Sequence, residues 1–389
     1  MSKSPFLPQG GSSRRVRART RRRRRRRRAL VVGAMAILVA AVAAMLALSH
    51  SGVSPGSAST SSNGKSHQSK HPRSGKNGQK LSTGPSSGTP SAPAESTDSQ
   101  TVATRSPSGL PLGRPPLTLD LSGADDPVQV AFRHQPSAGL LFDLKSGRVL
   151  WQRNPLEHLH IASLTKMMTA LRVVRTSPPD APVLVTKQAV ESAGSKVGVL
   201  PLGKDVRLET MLYGLLLPSG NDAAVALAQH VSGSVDTFVD GMNEEAARLG
   251  MGCTHYTSPS GYFNARNYSC AADLAELAEV DLEQPLIAHI VRTEKAAMPL
   301  PIKGGKVYLY NNNPLLVYDY PGATGLKTGY TELAGNCLVG TAERDGVKLG
   351  VVLLHSPELG RQAEYLLDRG FEDVYGQTPV PAPPVPSGR

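Results

Sequence analysis

Aromatic side chains are absent from a long stretch of the chain, because no phenylalanine, tryptophan or tyrosine occurs between residues 49 and 131. Serine, glycine, proline and threonine instead supply 31 of residues 51–100. Such a segment cannot bury enough apolar surface to offset the entropy that it would lose on ordering. We therefore predict a disordered linker over residues 49–125, a flexible tether with a root-mean-square reach of about 45 Å.

Motifs for metal binding are also missing. The sequence has no H-E-x-x-H and no paired C-x-x-C, and His158-Leu159-His160 is typical of an exposed loop pair. No metal or other cofactor is therefore predicted. Among the three cysteines, Cys253 and Cys270 bracket a short loop and either form a disulfide or stay free. Cys337 lies in a predicted strand and is expected to be a buried free thiol.

Acidic residues are absent from residues 1–28, which hold 13 of the chain's 43 lysines and arginines, including eight consecutive arginines. Outside this polybasic segment, 30 basic residues balance 31 acidic ones. The net charge of +12 is therefore concentrated at one end and does not by itself indicate a nucleic-acid partner. No nucleic-acid partner is expected.

Residues 29–48 carry no charged or polar side chain and no proline. As a helix they would span about 30 Å, the thickness of a bilayer core. Because flanking basic residues stay in the cytoplasm, we predict a single-pass membrane anchor over 29–48, a cytoplasmic segment 1–28 and an extracytoplasmic remainder. A cleaved signal peptide is the alternative. Contact with anionic lipid headgroups and this topology account for the arginine run.

Strand-like and helix-like patterns alternate along residues 126–376, the predicted folded domain. Strands occur near both ends of this region, and helical spacing dominates between residues 163 and 290. This order predicts an α+β fold with one mostly antiparallel sheet, built from both ends of the domain and packed against a helical insertion. The predicted strands are 138–144, 148–153, 336–342 and 347–355, and the last helix covers 359–371. Residues 377–389 form a proline-rich tail.

Ser163 and Lys166 are three residues apart and share one face of a predicted helix. The helix is apolar on nearly every side, which indicates a buried position. Burial lowers the pKa of a lysine, and an unprotonated lysine accepts the proton of a serine and makes it a nucleophile. Alternatively, the serine is an ordinary helix N-cap. The same spacing occurs without any apolar pattern at Ser62 and Lys65 in the linker.

Two further short motifs follow. Ser219-Gly220-Asn221 falls in a break between helical stretches, where Asn221 either projects into a site or only caps the next helix. Lys327-Thr328-Gly329 begins the returning strands. It offers a cation and a hydroxyl, and its glycine lets a substrate backbone approach closely.

Together these three motifs are the signature of penicillin-binding proteins and class A β-lactamases. Within that superfamily the chain resembles the low-molecular-mass D-alanyl-D-alanine carboxypeptidases, from about Ala138 to Phe371. The resemblance implies the penicillin-binding protein and β-lactamase-like transpeptidase fold. The matching stretches are 161–166, 217–224, 242–243, 258–261, 325–331, 334–335, Arg361 and 366–367.

The resemblance implies a serine peptidase that removes the terminal D-alanine from peptidoglycan stem peptides through an acyl-enzyme on Ser163, and that β-lactams inhibit covalently. Lys166 would act as the base and Ser219 would relay a proton to the leaving amine. Backbone N–H groups of Ser163 and Tyr330 would form the oxyanion hole.

Substrate binding is implied for a second set of residues. Lys327 and Thr328 would hold the terminal carboxylate, and Gly329 would let the substrate backbone approach closely. Asn221 would help to position Ser219, and Arg361 would add positive charge. Thr324-Gly325 stands where the family often has Asp-Gly. Many relatives also carry a C-terminal β-domain with an amphipathic helix, so anchoring is expected from residues 29–48.

Two other functions share parts of this pattern. A β-lactamase of class A needs a glutamate that activates water, and no Glu-x-x-x-Asn element lies at a suitable place between Ser219 and Lys327. A sensor would be acylated by β-lactams, or would bind peptidoglycan, without turnover. Release of D-alanine from a peptide distinguishes the peptidase from the sensor.

Overall fold

The computed structural model describes residues 118–122, 126–262 and 265–377. The predicted segments 1–28 and 29–48, most of the linker 49–125 and nearly all of the tail 377–389 lie outside these residues. Within the described residues, no helix is both long and apolar enough to cross a membrane.

The described chain contains eleven strands and nine α-helices, with one 3₁₀ turn before the first helix and one π-helical turn after the last. The strands are β1 (Ala138–Asp143), β2 (Val149–Arg153), β3 (Leu159–His160), β4 (Pro182–Leu184), β5 (Asp205–Arg207), β6 (Tyr268–Ser269), β7 (Lys295–Pro299), β8 (Lys306–Tyr310), β9 (Ala323–Thr331), β10 (Gly335–Arg344) and β11 (Val347–Leu354). The helices are α1 (Lys166–Thr176), α2 (Lys187–Glu191), α3 (Leu208–Leu216), α4 (Asn221–Ser232), α5 (Val235–Arg248), α6 (Ala271–Leu282), α7 (Pro285–Val291), α8 (Pro314–Val317) and α9 (Leu359–Arg369). The 3₁₀ turn is Ala162–Thr165 and the π-helical turn is Gly370–Val374.

A five-stranded sheet in the order β2-β1-β11-β10-β9 forms the centre of the domain. All four of its strand pairs are antiparallel. Two strands come from the start of the domain and three from its end, with the helical insertion between them. This confirms the predicted α+β architecture and the assembly of the sheet from both ends of the domain.

Alternating side chains of this sheet face two hydrophobic cores. In β1, Leu140 packs into the core under the helical insertion, and its neighbour Leu141 packs into the core under α9. Helix α9 contributes Leu366 and Leu367 to that second core. Because both faces are covered, β1 is buried along its whole length and reads as a continuous apolar run.

Both ends of helix α5 follow local chemistry that the sequence indicates. Ser234 precedes α5, and its hydroxyl accepts a hydrogen bond from the backbone N–H of Thr237 at 3.1 Å. Gly250 follows α5 in the left-handed conformation (φ +73°), which glycine adopts without a steric penalty. Gly250 therefore ends this helix.

Three small two-stranded sheets were not predicted. They pair β3 with β6, β4 with β5, and β7 with β8. The first two have strands of only two or three residues, which are too short to show a periodic pattern. The third is a hairpin between the helical insertion and β9, in a stretch for which no element was predicted.

Candidate active site

Ser163 lies in the 3₁₀ turn that leads directly into α1. Ala162, just before it, has a φ of +45°, a left-handed conformation that is rare for a residue with a side chain. The Thr165 hydroxyl donates to the Ala162 carbonyl at 2.9 Å and helps to hold this turn. The amine of Lys166 donates to the Ser163 hydroxyl oxygen at 2.9 Å.

Lys166 is completely buried, and its amine has three hydrogen-bond acceptors. Besides the Ser163 hydroxyl, they are the side-chain oxygen of Asn221 at 2.7 Å and the carbonyl oxygen of Ser260 at 2.9 Å. Burial lowers the pKa of Lys166 well below its usual value, and the nearby cation of Lys327 lowers it further, while Asp222 partly opposes the shift. A lysine in this position can lose its proton and accept one from the serine.

Asn221 is the first residue of α4, and its side chain does not cap this helix. Its oxygen accepts from Lys166, and its amide nitrogen donates to the Ala193 carbonyl at 2.6 Å. Gly220 occupies the cap position instead. The capping alternative is therefore wrong, and Asn221 connects the lysine to the loop at 193–198.

Ser219 lies between α3 and α4 with a φ of +66°. Its side chain is buried, and its hydroxyl has no hydrogen-bond partner among the described residues. A strained backbone and an unpaired buried hydroxyl are both unfavourable in a purely structural residue. The hydroxyl is thus available to a bound molecule.

Asp222 was not predicted, although it organises one side of the site. Its carboxylate accepts from the backbone N–H groups of Val197 at 2.9 Å, Gly198 at 3.0 Å and Ala223 at 2.9 Å. These bonds hold the loop 193–198 against the start of α4. An acidic residue in the first turn of a helix is the only local signal for this role.

Ser260 and Gly261 form a second supporting loop. Gly261 has a φ of +71°, and a Cβ at this position would overlap the carbonyl oxygen of Ala162. Asn267 ties the same loop to the nucleophile turn, because its amide donates to the Thr165 hydroxyl at 2.9 Å. Residues 258–261 are among the stretches that resemble the family, but no role was predicted for them.

Strand β9 carries Lys327, Thr328 and Gly329 at the edge of the main sheet. A Cβ on Gly329 would lie 2.9 Å from the backbone nitrogen of Ser163, so the strand lies directly against the nucleophile turn. Tyr330 follows it and is exposed. An edge strand offers unpaired backbone groups to an extended peptide.

Lys327 is buried, and its amine donates to the Thr328 carbonyl at 2.9 Å. Burial lowers the pKa of Lys327 to about 7. Its charge also contributes to the lowered pKa of Lys166, which places the two amines in one electrostatic environment. Two buried lysines beside one serine are an unusual arrangement, since an unpaired ammonium is expensive to bury.

Arg361 is not among the residues that the structure brings to this cluster. It lies on α9, its side chain is 78% exposed, and its guanidinium is 3.8 Å from Glu358. Its contribution to substrate binding stays a prediction.

The structure joins Cys253 and Cys270 in a disulfide, and it leaves Cys337 as a buried free thiol. The sulfurs of the bridge lie near a carboxylate oxygen of Asp273. A disulfide does not supply the thiolates that a metal site needs. His158 is exposed as predicted, but His160 is half-buried in β3, with its ring nitrogen 3.3 Å from the Asn267 carbonyl oxygen. The expectation of an exposed pair is therefore wrong for His160.

A family model described as D-alanyl-D-alanine carboxypeptidase matches residues 126–358. The D-alanyl-D-alanine carboxypeptidase DacF of Bacillus subtilis is 32% identical over 246 residues, which cover 61% of this chain and 62% of DacF. The D-alanyl-D-alanine carboxypeptidase DacB2 of Mycobacterium tuberculosis is 36% identical over 240 residues, which cover 60% of this chain and 81% of DacB2.

A solved structure shows the same fold. The crystal structure of the Streptomyces K15 DD-transpeptidase matches with a TM-score of 0.59 and 30% sequence identity, over 62% of this chain and 99% of that chain. The predicted transpeptidase fold is thereby confirmed.

Proposed function

The chain belongs to the D-alanyl-D-alanine carboxypeptidase family, and we propose that it is a membrane-anchored serine D-alanyl-D-alanine carboxypeptidase. It removes the terminal D-alanine from peptidoglycan stem peptides through an acyl-enzyme on Ser163, and β-lactams inhibit it by acylating the same serine. The observation that carries this proposal is the completely buried amine of Lys166, hydrogen-bonded to the Ser163 hydroxyl.

Acylation starts from the unprotonated amine of Lys166. The Ser163 oxygen attacks the carbonyl carbon of the penultimate D-alanine, and the serine proton passes to Lys166. Negative charge then develops on the carbonyl oxygen, where the backbone N–H groups of Ser163 and Tyr330 stabilise it, each donor contributing on the order of a hundredfold in rate. The close approach of β9 to the nucleophile turn supports this pairing of donors.

Collapse of the tetrahedral intermediate breaks the peptide bond. The proton on Lys166 passes through the Ser219 hydroxyl to the leaving amine, which returns Lys166 to its neutral form; this hydroxyl has no other partner among the described residues. Free D-alanine departs, and water attacks the ester on Ser163 with Lys166 again accepting a proton. The ester C–O bond then breaks, the proton returns from Lys166 to the Ser163 oxygen, and the shortened peptide leaves with a new carboxyl end. Asn221 keeps the lysine oriented in both steps, because its side-chain oxygen accepts from Lys166 at 2.7 Å.

The terminal carboxylate of the peptide binds to Lys327 and Thr328 at the edge of β9, and Gly329 allows its close approach. Lys327 is buried and has no ion pair with a carboxylate among the described residues, which suits it to a ligand that brings its own negative charge. Arg361 adds a weaker, exposed positive charge. The peptide itself lies extended along β9.

Single substitutions with a matched control test this function. In the full-length chain, Ser163→Ala should abolish labelling by fluorescent penicillin and release of D-alanine from a diacetyl-L-Lys-D-Ala-D-Ala peptide. Lys166→Ala should nearly do so with the fold intact. Ser62→Ala, which removes the serine of the second Ser-x-x-Lys spacing, should change neither. Labelling that survives in Ser163→Ala refutes the assignment.

The same assay distinguishes the two alternative functions. A folded chain that binds penicillin but releases no D-alanine is a sensor. A chain that hydrolyses penicillin rapidly, with no lasting adduct in the mass spectrum, is a β-lactamase. Slow loss of the adduct combined with D-alanine release supports the carboxypeptidase.

The location at the membrane is also part of the proposal. The apolar segment 29–48, the polybasic segment 1–28 and the linker 49–125 support a cytoplasmic N-terminus and an extracytoplasmic catalytic domain on a tether. External protease added to intact spheroplasts should remove the catalytic domain and leave a membrane-bound N-terminal fragment. A catalytic domain that resists external protease until the cells are lysed contradicts this topology.

A further inference from the structure

The hairpin formed by β7 and β8 has one buried face and one exposed face. Val307 and Leu309 point into the main core, together with the half-buried Ala296 and Met298. The other face of the hairpin carries Lys295, Ala297, Pro299, Lys306, Tyr308 and Tyr310. We call these six residues the hairpin face.

The register of the hairpin places the exposed side chains in opposed pairs. Lys295 lies opposite Tyr310, Ala297 opposite Tyr308, and Pro299 opposite Lys306. Directly opposed residues share a face, so the two tyrosines stand side by side, about 7 Å apart along β8. Their side chains are 67% and 62% exposed at positions 308 and 310. The small Ala297 leaves the ring of Tyr308 open to a ligand.

The hairpin is positively charged. Between residues 292 and 310 the chain has one arginine, three lysines and a single acid, Glu294. Within the described residues, no carboxylate pairs with Lys295, Lys303 or Lys306. The segment therefore carries a net positive charge in a chain that is otherwise close to neutral outside its first 28 residues.

The hairpin is connected to the strand that carries Lys327. The Asn311 amide donates to the Val291 and Thr293 carbonyls, both at 3.1 Å, and so fixes the base of the hairpin to the end of α7. Val291 in turn packs against Gly325, since a Cβ built on Gly325 would lie 2.7 Å from the Val291 side chain. Gly325 is two residues before Lys327 on β9.

We propose that the hairpin face binds the glycan strand of the peptidoglycan whose stem peptide enters the active site. This inference rests on the proposed function. A pyranose ring presents C–H groups that stack on the electron-rich face of a tyrosine. Carboxylates of neighbouring stem peptides pair with Lys295 and Lys306. One polymer bound at two places raises the effective concentration of its stem peptides at Ser163.

Charge and composition favour this ligand over a membrane surface. Interfacial segments insert tryptophan, phenylalanine or leucine into lipid, and the hairpin face has none of these residues. Tyrosines beside lysines are instead suited to a polar, anionic polymer with exposed sugar rings.

Cosedimentation with purified, insoluble peptidoglycan tests the proposal. The full-length chain in detergent is compared with two double variants, Tyr308→Ser with Tyr310→Ser, and Lys295→Glu with Lys306→Glu. Each should bind the polymer at least fivefold more weakly, while kcat and KM for a soluble D-Ala-D-Ala peptide stay within about twofold. Raised salt should weaken the parent chain more than the lysine variant. The arginine run is present in every variant, so its own contribution is common to all.

Two matched controls change exposed residues elsewhere. Tyr365→Ser on α9 and Lys145→Glu in the turn after β1 should sediment like the parent chain. Stoichiometric penicillin labelling verifies that each variant is folded, and the lysine pair decides the question if the tyrosine pair fails that check.

The proposal is overturned if the parent chain does not sediment with the polymer, or if both double variants sediment as it does. It is also overturned if the lysine pair governs binding to vesicles of anionic phospholipid but not to peptidoglycan. If the chain releases no D-alanine but its sedimentation depends on the hairpin face, the proposed function is rejected and the binding surface is supported. If the chain releases D-alanine but substitutions on the hairpin face do not change its sedimentation, only the proposed binding surface is rejected.

Discussion

The substitution Asn221→Asp, which replaces the side-chain amide nitrogen by oxygen, tests whether Lys166 acts as an unprotonated base. The Asn221 oxygen lies 2.7 Å from the lysine amine. In Asn221→Asp, a carboxylate of nearly the same shape occupies this place. An opposite charge favours the protonated lysine, so the pKa of Lys166 should rise. Higher pH is then needed to produce the free amine, and the pH at which acylation begins should rise as well.

The size of the shift follows from the distance. Opposite charges about 4 Å apart interact by about 4 kcal/mol at the effective dielectric of a protein, or about 3 pKa units at 1.36 kcal/mol each. The new carboxylate also loses hydration, and shifts of about 1 to 3 units are usual for such pairs. Acylation at neutral pH should therefore fall by about 10- to 1000-fold and recover about tenfold per pH unit.

The assay is the second-order rate of acylation by a fluorescent penicillin, measured from pH 6 to 10. Asn221→Ala removes the hydrogen bond without adding charge, so it should slow acylation without moving its onset to higher pH. Asn154→Asp adds the same charge at an exposed position and should leave the profile unchanged. An Asn221→Asp profile that coincides with that of the parent chain would refute the assignment of Lys166 as the base.

Three further predictions concern other parts of the domain. Burial lowers the pKa of Lys327 to about 7, so the amine loses its charge above pH 7 and KM for the carboxylate-bearing peptide should rise. Lys327→Arg stays charged and should lose this pH dependence of KM, and the same dependence in both proteins contradicts the role of Lys327. Gly261→Ala, with its Cβ blocked, should lower the free energy of unfolding in urea by more than about 2 kcal/mol and abolish penicillin labelling, whereas Gly233→Ala, at φ +74° in open space, should lose about 1 kcal/mol and keep it. Reducing the Cys253–Cys270 bridge, with its sequence separation of 17, should lower the free energy of unfolding by about 3 kcal/mol, and an unchanged urea midpoint contradicts this.

The central sheet was predictable because its signals are local. Residues 138–143 are an apolar run, and glycine turns separate the strands at residues 147 and 346. Such signals do not depend on distant parts of the chain. They placed four strands of the main sheet within one or two residues of their observed ends. The two strands of the hairpin at 295–310 also alternate between more exposed and more buried residues. They were missed because the next strands predicted after the helical region were the returning strands that begin with β9.

The site could be predicted only in part, because its supporting contacts join distant residues. The spacing of Ser163 and Lys166 is local, whereas the Ser260 carbonyl reaches the lysine across 94 positions and the Asn221 oxygen across 55. The two interpretations of Asn221 could not be separated by sequence. Both place a small amide at the start of a helix, and only the fold decides which group it contacts.

The neutral charge of Asn221 explains how Lys166 can be both fully hydrogen-bonded and basic. None of its three partners is ionised: the Asn221 and Ser260 oxygens can accept from the two N–H groups of the neutral amine, whose lone pair then accepts from the Ser163 hydroxyl. Asp222 is next in sequence, but its oxygens accept from the backbone of residues 197, 198 and 223 instead of from the lysine. A direct ion pair would hold the proton on Lys166, whereas burial among neutral acceptors beside Lys327 releases it. The loop at 193–198 therefore has an electrostatic role as well as a structural one, since it occupies the carboxylate that would otherwise compete for the amine.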